Sequence, residues 1–149
     1  MRMLEAASIP FAVKEYDVSD GEISGMAVAA KIGCEPERVF KTLVTEGKNT
    51  GLNVFVVPVI AELDLKKAAL AAGDKSIEMI KSRDLLPKTG YVHGGCSPVG
   101  MKKPYPTFID ETAQLFNAIV VSGGKIGLQV EAAPDDLLKI TGAKYCALT

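Results

Sequence analysis

Histidine is almost missing from this 149-residue chain, where His93 stands alone. A metal centre built on several imidazoles is thereby excluded, and any serine or cysteine triad would have to use that one ring. Cysteine is nearly as scarce. Cys34, Cys96 and Cys146 are scattered, odd in number and free of any CxxC spacing, so neither a disulfide framework nor a zinc knuckle is expected. No apolar run approaches the roughly 20 residues that a membrane-spanning helix needs. The start of the chain carries Arg2, Glu5 and Pro10 where a secretion signal would still be apolar, so no membrane partner and a cytoplasmic location are expected. Repeats, low-complexity tracts and linkers are absent too, which points to one domain over residues 1–149. A net charge of −1 gives no global attraction for nucleic acid, so any such contact must be local. The basic pairs Lys66 and Lys67, Lys81 and Arg83, and Lys102 and Lys103 are separated by neutral or acidic stretches. Each alone reads as solvated surface.

What is present is a chain that is 48% hydrophobic and long enough to bury a core without staples. Near-continuous apolar runs at residues 53–60 and 118–121 read as central strands buried on both faces. Segments 11–16 and 39–45 are expected partners, and 128–131 and 145–148 add short strands. Leu65, Ala68, Ala69 and Ala72 recur at helical spacing behind the N-cap candidate Asp64, with Gly73 just past the end. A second helix starts at Pro134, with Asp135 and Asp136 in its first turn, Lys139 near its finish and Gly142 beyond. A third spans about residues 25–32, closed by Gly33. Strands interspersed with helices indicate an α/β, or mixed α+β, domain around a mixed sheet, with closure into a barrel left open by periodicity.

Familiar catalytic signatures fail. The run from Gly95 to Gly100 has one residue too many after Ser97 for a nucleophile elbow, and Pro98 removes an amide where an oxyanion donor would sit. Gly124-Lys125 has Ile119 and Ile126 where a phosphate loop needs glycine and a hydroxyl. Two glycine-rich loops remain, residues 94–100 and 122–127. They read either as tight turns or as places where a ligand meets backbone amides without an intervening Cβ. Alternation along residues 39–44 puts Lys41 on the face of Val39 and Leu43. That ammonium either snorkels to water at a strand edge or sits at a pocket rim, able to meet a phosphate or oxyanion. His93 reads as a surface residue lacking an obvious carboxylate orienter, and Cys96 would need a cationic neighbourhood to be reactive.

Four linked segments, Phe40-Lys41-Thr42-Leu43-Val44, Asp64 to Ala69, Tyr91 to Gly100 and Ser122 to Val130, resemble in order and spacing the YbaK/EbsC family. The resemblance covers about residues 15–139. It implies a fold like the editing domain of prolyl-tRNA synthetases, with a mixed, barrel-like β-sheet flanked by helices. It implies a trans-editing aminoacyl-tRNA deacylase that removes cysteine from mischarged tRNA(Pro), acting on the tRNA 3′ end with prolyl-tRNA synthetase as a candidate partner. Cleavage would be assisted by the substrate's own thiol, and no cofactor or metal is implied. Carried over by position, Lys41, Gly95 and Ser122 would be the catalytic residues. Tyr16, Phe40, Thr42, Gly94, Ser97, Gly100, Gly123, Gly127 and Gln129 would contact substrate or shape its loops. Some members carry Asp where this chain has Gln129, which bears on amino-acid preference. Deacylation of another small amino acid such as alanine, or a non-catalytic module that binds tRNA ends or a synthetase, are the alternative readings.

Overall fold

The computed structural model describes residues 2–149. Along the chain run α1 (Arg2–Ala6), β1 (Phe11–Glu15), α2 (Gly25–Lys31), β2 (Phe40–Gly47), β3 (Gly51–Pro58), α3 (Leu65–Ala72) and β4 (Ile77–Met79). There follow α4 (Ser82–Thr89), β5 (Thr107–Asp110), β6 (Ile119–Ser122), β7 (Leu128–Ala132), α5 (Pro134–Thr141) and β8 (Lys144–Cys146). Short 3-10 turns occupy Pro36–Arg38 and Glu111–Leu115.

The helices expected from capping signals form where the caps lie. The Asp64 carboxylate accepts from the amides of Lys66 and Lys67, and Gly73 closes α3 in the left-handed region at φ 70°. Pro134 opens α5 and Gly142 ends it at φ 71°. Ser24 caps α2 by accepting from the Ala27 amide. Helix α4 was not anticipated, because Pro87 lies inside it and only Leu85 is buried on its apolar side. Its last carbonyls find partners elsewhere: Lys102 Nζ donates to Pro87 O, Tyr105 OH to Lys88 O and the Lys102 amide to Thr89 O.

The strands form two sheets, one of order β4-β2-β3-β5-β8 and one of order β1-β7-β6. In the first, β2 and β3 make an antiparallel hairpin that pairs Lys41 with Val57, while β5 joins β3 in parallel and β8 joins β5 in parallel. The second sheet is antiparallel throughout. The mixed sheet flanked by helices is as expected, and closure, left open by periodicity, does not occur among the described residues. The sheets meet at a single parallel bridge between Val39 and Val120, since β2 turns its edge toward β6 only where it starts.

Between the sheets, Phe40, Val56 and Ile109 pack against Ile119, Val121, Val130 and Leu137. On the other face of the larger sheet, Phe55, Val57 and Phe108 meet Ala68 and Ala69 of α3, with the rings of Phe55 and Phe108 stacked 5.3 Å apart. The apolar run in β3 is therefore buried on both faces, and each fully buried side chain of that size stabilises the fold by roughly 1.5–3 kcal/mol.

Candidate active site

Where β2 leaves the seam between the sheets, a cleft of about 210 Å³ opens beside its first residues. Phe40, Lys41 and Thr42 of β2 line it together with Tyr16, Gly94, Ser122 and Gln129. Sequence positions more than 100 residues apart thus converge on one hollow. Lys41 is its only lysine or arginine, and no carboxylate is among the residues that line it. The ammonium lies 3.6 Å from the carboxylate of Glu62, which is 94% exposed. Such a rim pair is worth at most about 1 kcal/mol, so an anionic ligand can take over the ammonium at small cost.

Four features equip the cleft for a polar ligand. The hydroxyl of Thr42 is buried and has no hydrogen-bond partner among the described residues, a condition that costs on the order of 1–3 kcal/mol unless something else satisfies it. Gln129, only 6% exposed, makes no side-chain hydrogen bond among the described residues. Ser122 Oγ accepts from the Gly124 amide, leaving its own proton free to be donated. The residues Gly94 and Cys96 also line the cleft, and their amides donate to no group among the described residues.

The remaining positions singled out from sequence fall elsewhere. Ser97, Gly100 and Gly123 line an adjoining hollow of about 160 Å³, which shares Ser122 with the cleft. Gly95 lines neither hollow. Its amide donates to Val92 O, and a Cβ there would lie 3.2 Å from the backbone of Lys125 and Ile126. It is where the two glycine loops touch, so it holds the free amides of its neighbours in place. Gly127 accepts from the Tyr16 amide and fixes the strand end that carries that ring.

Helix α2 supplies a wall that sequence reasoning missed. Ser24, Gly25 and Val28 line the cleft, and a Cβ on Gly25 would sit 2.4 Å from Val59 Cγ1. Only a glycine lets the helix start close against the end of β3. Lys31 of the same helix donates to Asp17 O, Asp20 Oδ1 and Glu22 O, and its ammonium stands 5.8 Å from the centre of the Tyr16 ring. One side chain thereby straps the 17–22 loop, and Tyr16 with it, over the cleft. A signal was present in the Ser24-Gly25 cap, but the docking partner Val59 is remote in sequence.

His93 is exposed at the mouth. Burial pushes the Cys96 thiol up to about 11, so at neutral pH it is not the thiolate a nucleophile requires. The Cys34 thiol is pushed up for the same reason. Among the described residues, no three His, Cys, Asp or Glu side chains cluster, and no helix is long and apolar enough to cross a membrane.

The sequence profile of the family described as the aminoacyl-tRNA editing domain matches residues 24–140. A candidate Cys-tRNA(Pro)/Cys-tRNA(Cys) deacylase of Enterococcus faecalis, EbsC, is 47% identical over 149 residues, spanning 100% of this chain and 91% of the relative. The crystal structure of a candidate trans-editing enzyme for prolyl tRNA synthetase superposes with a TM-score of 0.88 at 28% identity, covering 99% of this chain and 92% of that one. A hypothetical protein of known structure shares the fold at a TM-score of 0.89 and 20% identity, over 99% of this chain and 96% of its own.

Proposed function

The chain belongs to the aminoacyl-tRNA editing-domain family, and from that premise we propose that it hydrolyses cysteine from mischarged Cys-tRNA(Pro) in the cleft around Lys41. The observation that carries this reading is the donor set of a largely apolar cleft, a lone ammonium with hydroxyl, carboxamide and amide donors and no carboxylate in the lining. Such a lining suits an anionic nucleic-acid end with an ester carbonyl better than a cationic or peptide ligand.

A synthetase that selects by size gains only about 1–3 kcal/mol from a small difference in side-chain volume, which leaves cysteine and proline poorly separated. A second, hydrolytic check corrects the error. In the reading favoured here the substrate thiol attacks its own carbonyl carbon. The sulfur–carbon bond forms, the bond from that carbon to the ribose oxygen breaks, and the thiol proton ends on the ribose oxygen. A thiolactone leaves and water then opens it to cysteine.

In this scheme the protein orients and stabilises. Lys41 meets the terminal phosphate or the developing oxyanion, the amides of Gly94 and Cys96 donate to the carbonyl oxygen, and Ser122 and Gln129 hold the amino acid. Proximity and oxyanion stabilisation of this kind supply large rate factors without a side-chain nucleophile. The reading agrees with a Cys96 thiol that burial keeps protonated. It also implies work in the cytoplasm, beside the prolyl-tRNA synthetase that makes the error.

Purified protein incubated with Cys-tRNA(Pro) and Ser-tRNA(Pro) tests this directly. Cysteine release well above spontaneous hydrolysis, with the serine ester at least about a hundredfold slower, is expected. Cysteine release at the spontaneous rate overturns the substrate, and equal turnover of both esters overturns thiol assistance.

A further inference from the structure

The segment from Met79 to Ile109 holds Lys81, Arg83, Lys88, Lys102 and Lys103 against the single acid Asp84, a local charge of +4 in a chain of net −1. The sequence keeps its two halves apart, but the fold brings them together. Lys102 and Tyr105 cap the carbonyls of Pro87 and Lys88, which lays the 101–105 loop along the end of α4. All five basic side chains are exposed, and none forms an ion pair among the described residues. Asp84 is only half-exposed. Elsewhere in the chain Lys31 pairs with Asp20, Arg38 with Glu35 and Glu131, and Lys41 with Glu62, so what sets the strip apart is its local excess of +4.

The strip also leads to the cleft. Gly90 ends α4, and His93 at the cleft mouth follows three residues later, a reach of at most about 11 Å. Lys81 and Lys88 stand two helical turns apart, about 10 Å along the axis. At 0.1 M salt the screening length is about 10 Å, so an approaching polyanion senses the local excess and not the overall charge.

We infer that α4 and the 101–105 loop form the docking surface for the sugar-phosphate backbone of the tRNA acceptor stem, delivering its 3′ end to the cleft. This rests on the functional reading above. The contacts go to phosphates, so the surface adds affinity and register without reading sequence, and discrimination stays in the cleft.

The test compares Arg83→Gln/Lys88→Gln/Lys103→Gln with Lys48→Gln/Lys66→Gln/Lys75→Gln, which removes the same charge from other faces. Lys102 is spared because it caps α4. Binding of uncharged tRNA(Pro) is measured against KCl concentration, alongside KM and kcat on Cys-tRNA(Pro) and the thermal midpoint of each variant. For the strip variant, Kd and KM rise about tenfold or more, kcat holds, and the slope of log K against log[KCl] falls by about 2–3, at roughly 0.7–0.9 per lost phosphate contact. The control variant stays near wild type. Equal weakening in both variants, or a loss confined to kcat, overturns the docking surface, as does unchanged tRNA binding with reduced affinity for a synthetase. A wild-type protein that neither binds nor deacylates tRNA overturns the functional reading as well.

Discussion

Ser122 and Gln129 are cross-strand partners on β6 and β7, and both buried side chains line the cleft that holds Lys41. The pair sits in the floor of the smaller sheet, so its polar groups face the ligand without support from other side chains. Replacing Gln129 by leucine keeps the volume and removes the amide. We expect kcat/KM on Cys-tRNA(Pro) to fall about three- to tenfold, the equivalent of one hydrogen bond at about 0.5–1.5 kcal/mol. The thermal midpoint should not fall, because the amide has no partner in the free protein. Unchanged kcat/KM would remove Gln129 from the substrate contacts.

Lys41 is the cleft's single ammonium, and its only ion pair among the described residues is with an exposed glutamate. Lys41→Ala is expected to lower kcat/KM by about 10²–10³, the loss typical of removing one preorganised oxyanion donor. Stability should move little, since a rim pair contributes at most about 1 kcal/mol. Steady-state kinetics with a thermal melt separates the two effects. A melt that collapses together with activity would make Lys41 structural.

The unpartnered hydroxyl of Thr42 makes a prediction of opposite sign for stability and activity. Thr42→Val keeps the shape and deletes a buried polar atom that the free protein leaves unsatisfied. The thermal midpoint should rise by about 2–4 °C for each kcal/mol recovered, while deacylation slows because the ligand loses its partner. A destabilised valine variant would mean that the hydroxyl is already satisfied.

These residues differ in how far the sequence disclosed them. Lys41 was legible because strand alternation places a charge on an apolar face, and α3 and α5 were legible because Asp64, Gly73, Pro134 and Gly142 punctuate their ends. Strand β5 was not, since its four residues carry no period of their own and exist as a strand only by parallel pairing with β3 and β8. The wall made by α2 was hidden for a related reason: Gly25 matters through Val59, and Lys31 through the backbone of the 17–22 loop. Closure into a barrel was left open by the sequence because it depends on edge pairing beyond the Val39–Val120 bridge, which no local pattern encodes.

Cys96 separates protein-nucleophile from substrate-thiol chemistry. Its thiol is held protonated by burial up to about 11, whereas a free cysteine thiol ionises near about 8.5. After subtraction of spontaneous hydrolysis, turnover of Cys-tRNA(Pro) should rise roughly tenfold per pH unit below about pH 8 and then level off. Cys96→Ala should reproduce that profile within about threefold. An alanine variant without activity would assign the attacking sulfur to the protein.

Asp74 gives a stability prediction whose sign follows from its hydrogen bonds. Its carboxylate accepts from the amides of Asn49, Thr50 and Lys75 and from the Thr50 hydroxyl, closing the β2–β3 turn against the end of α3. The Thr50 hydroxyl, followed by these amides, holds its pKa far below the usual carboxylate range. A group whose folded pKa is depressed stabilises fully above its unfolded pKa, near about 3.9, and that contribution fades as pH falls toward the folded value. Asp74→Asn should therefore melt below wild type by a constant margin from pH 8 to about pH 5. The margin should narrow below about pH 4, as protonation of the unfolded chain begins to offset what the carboxylate contributes. A gap that persists undiminished at about pH 2 would show that shape and not charge makes the difference, because only the ionised form can accept all four hydrogen bonds.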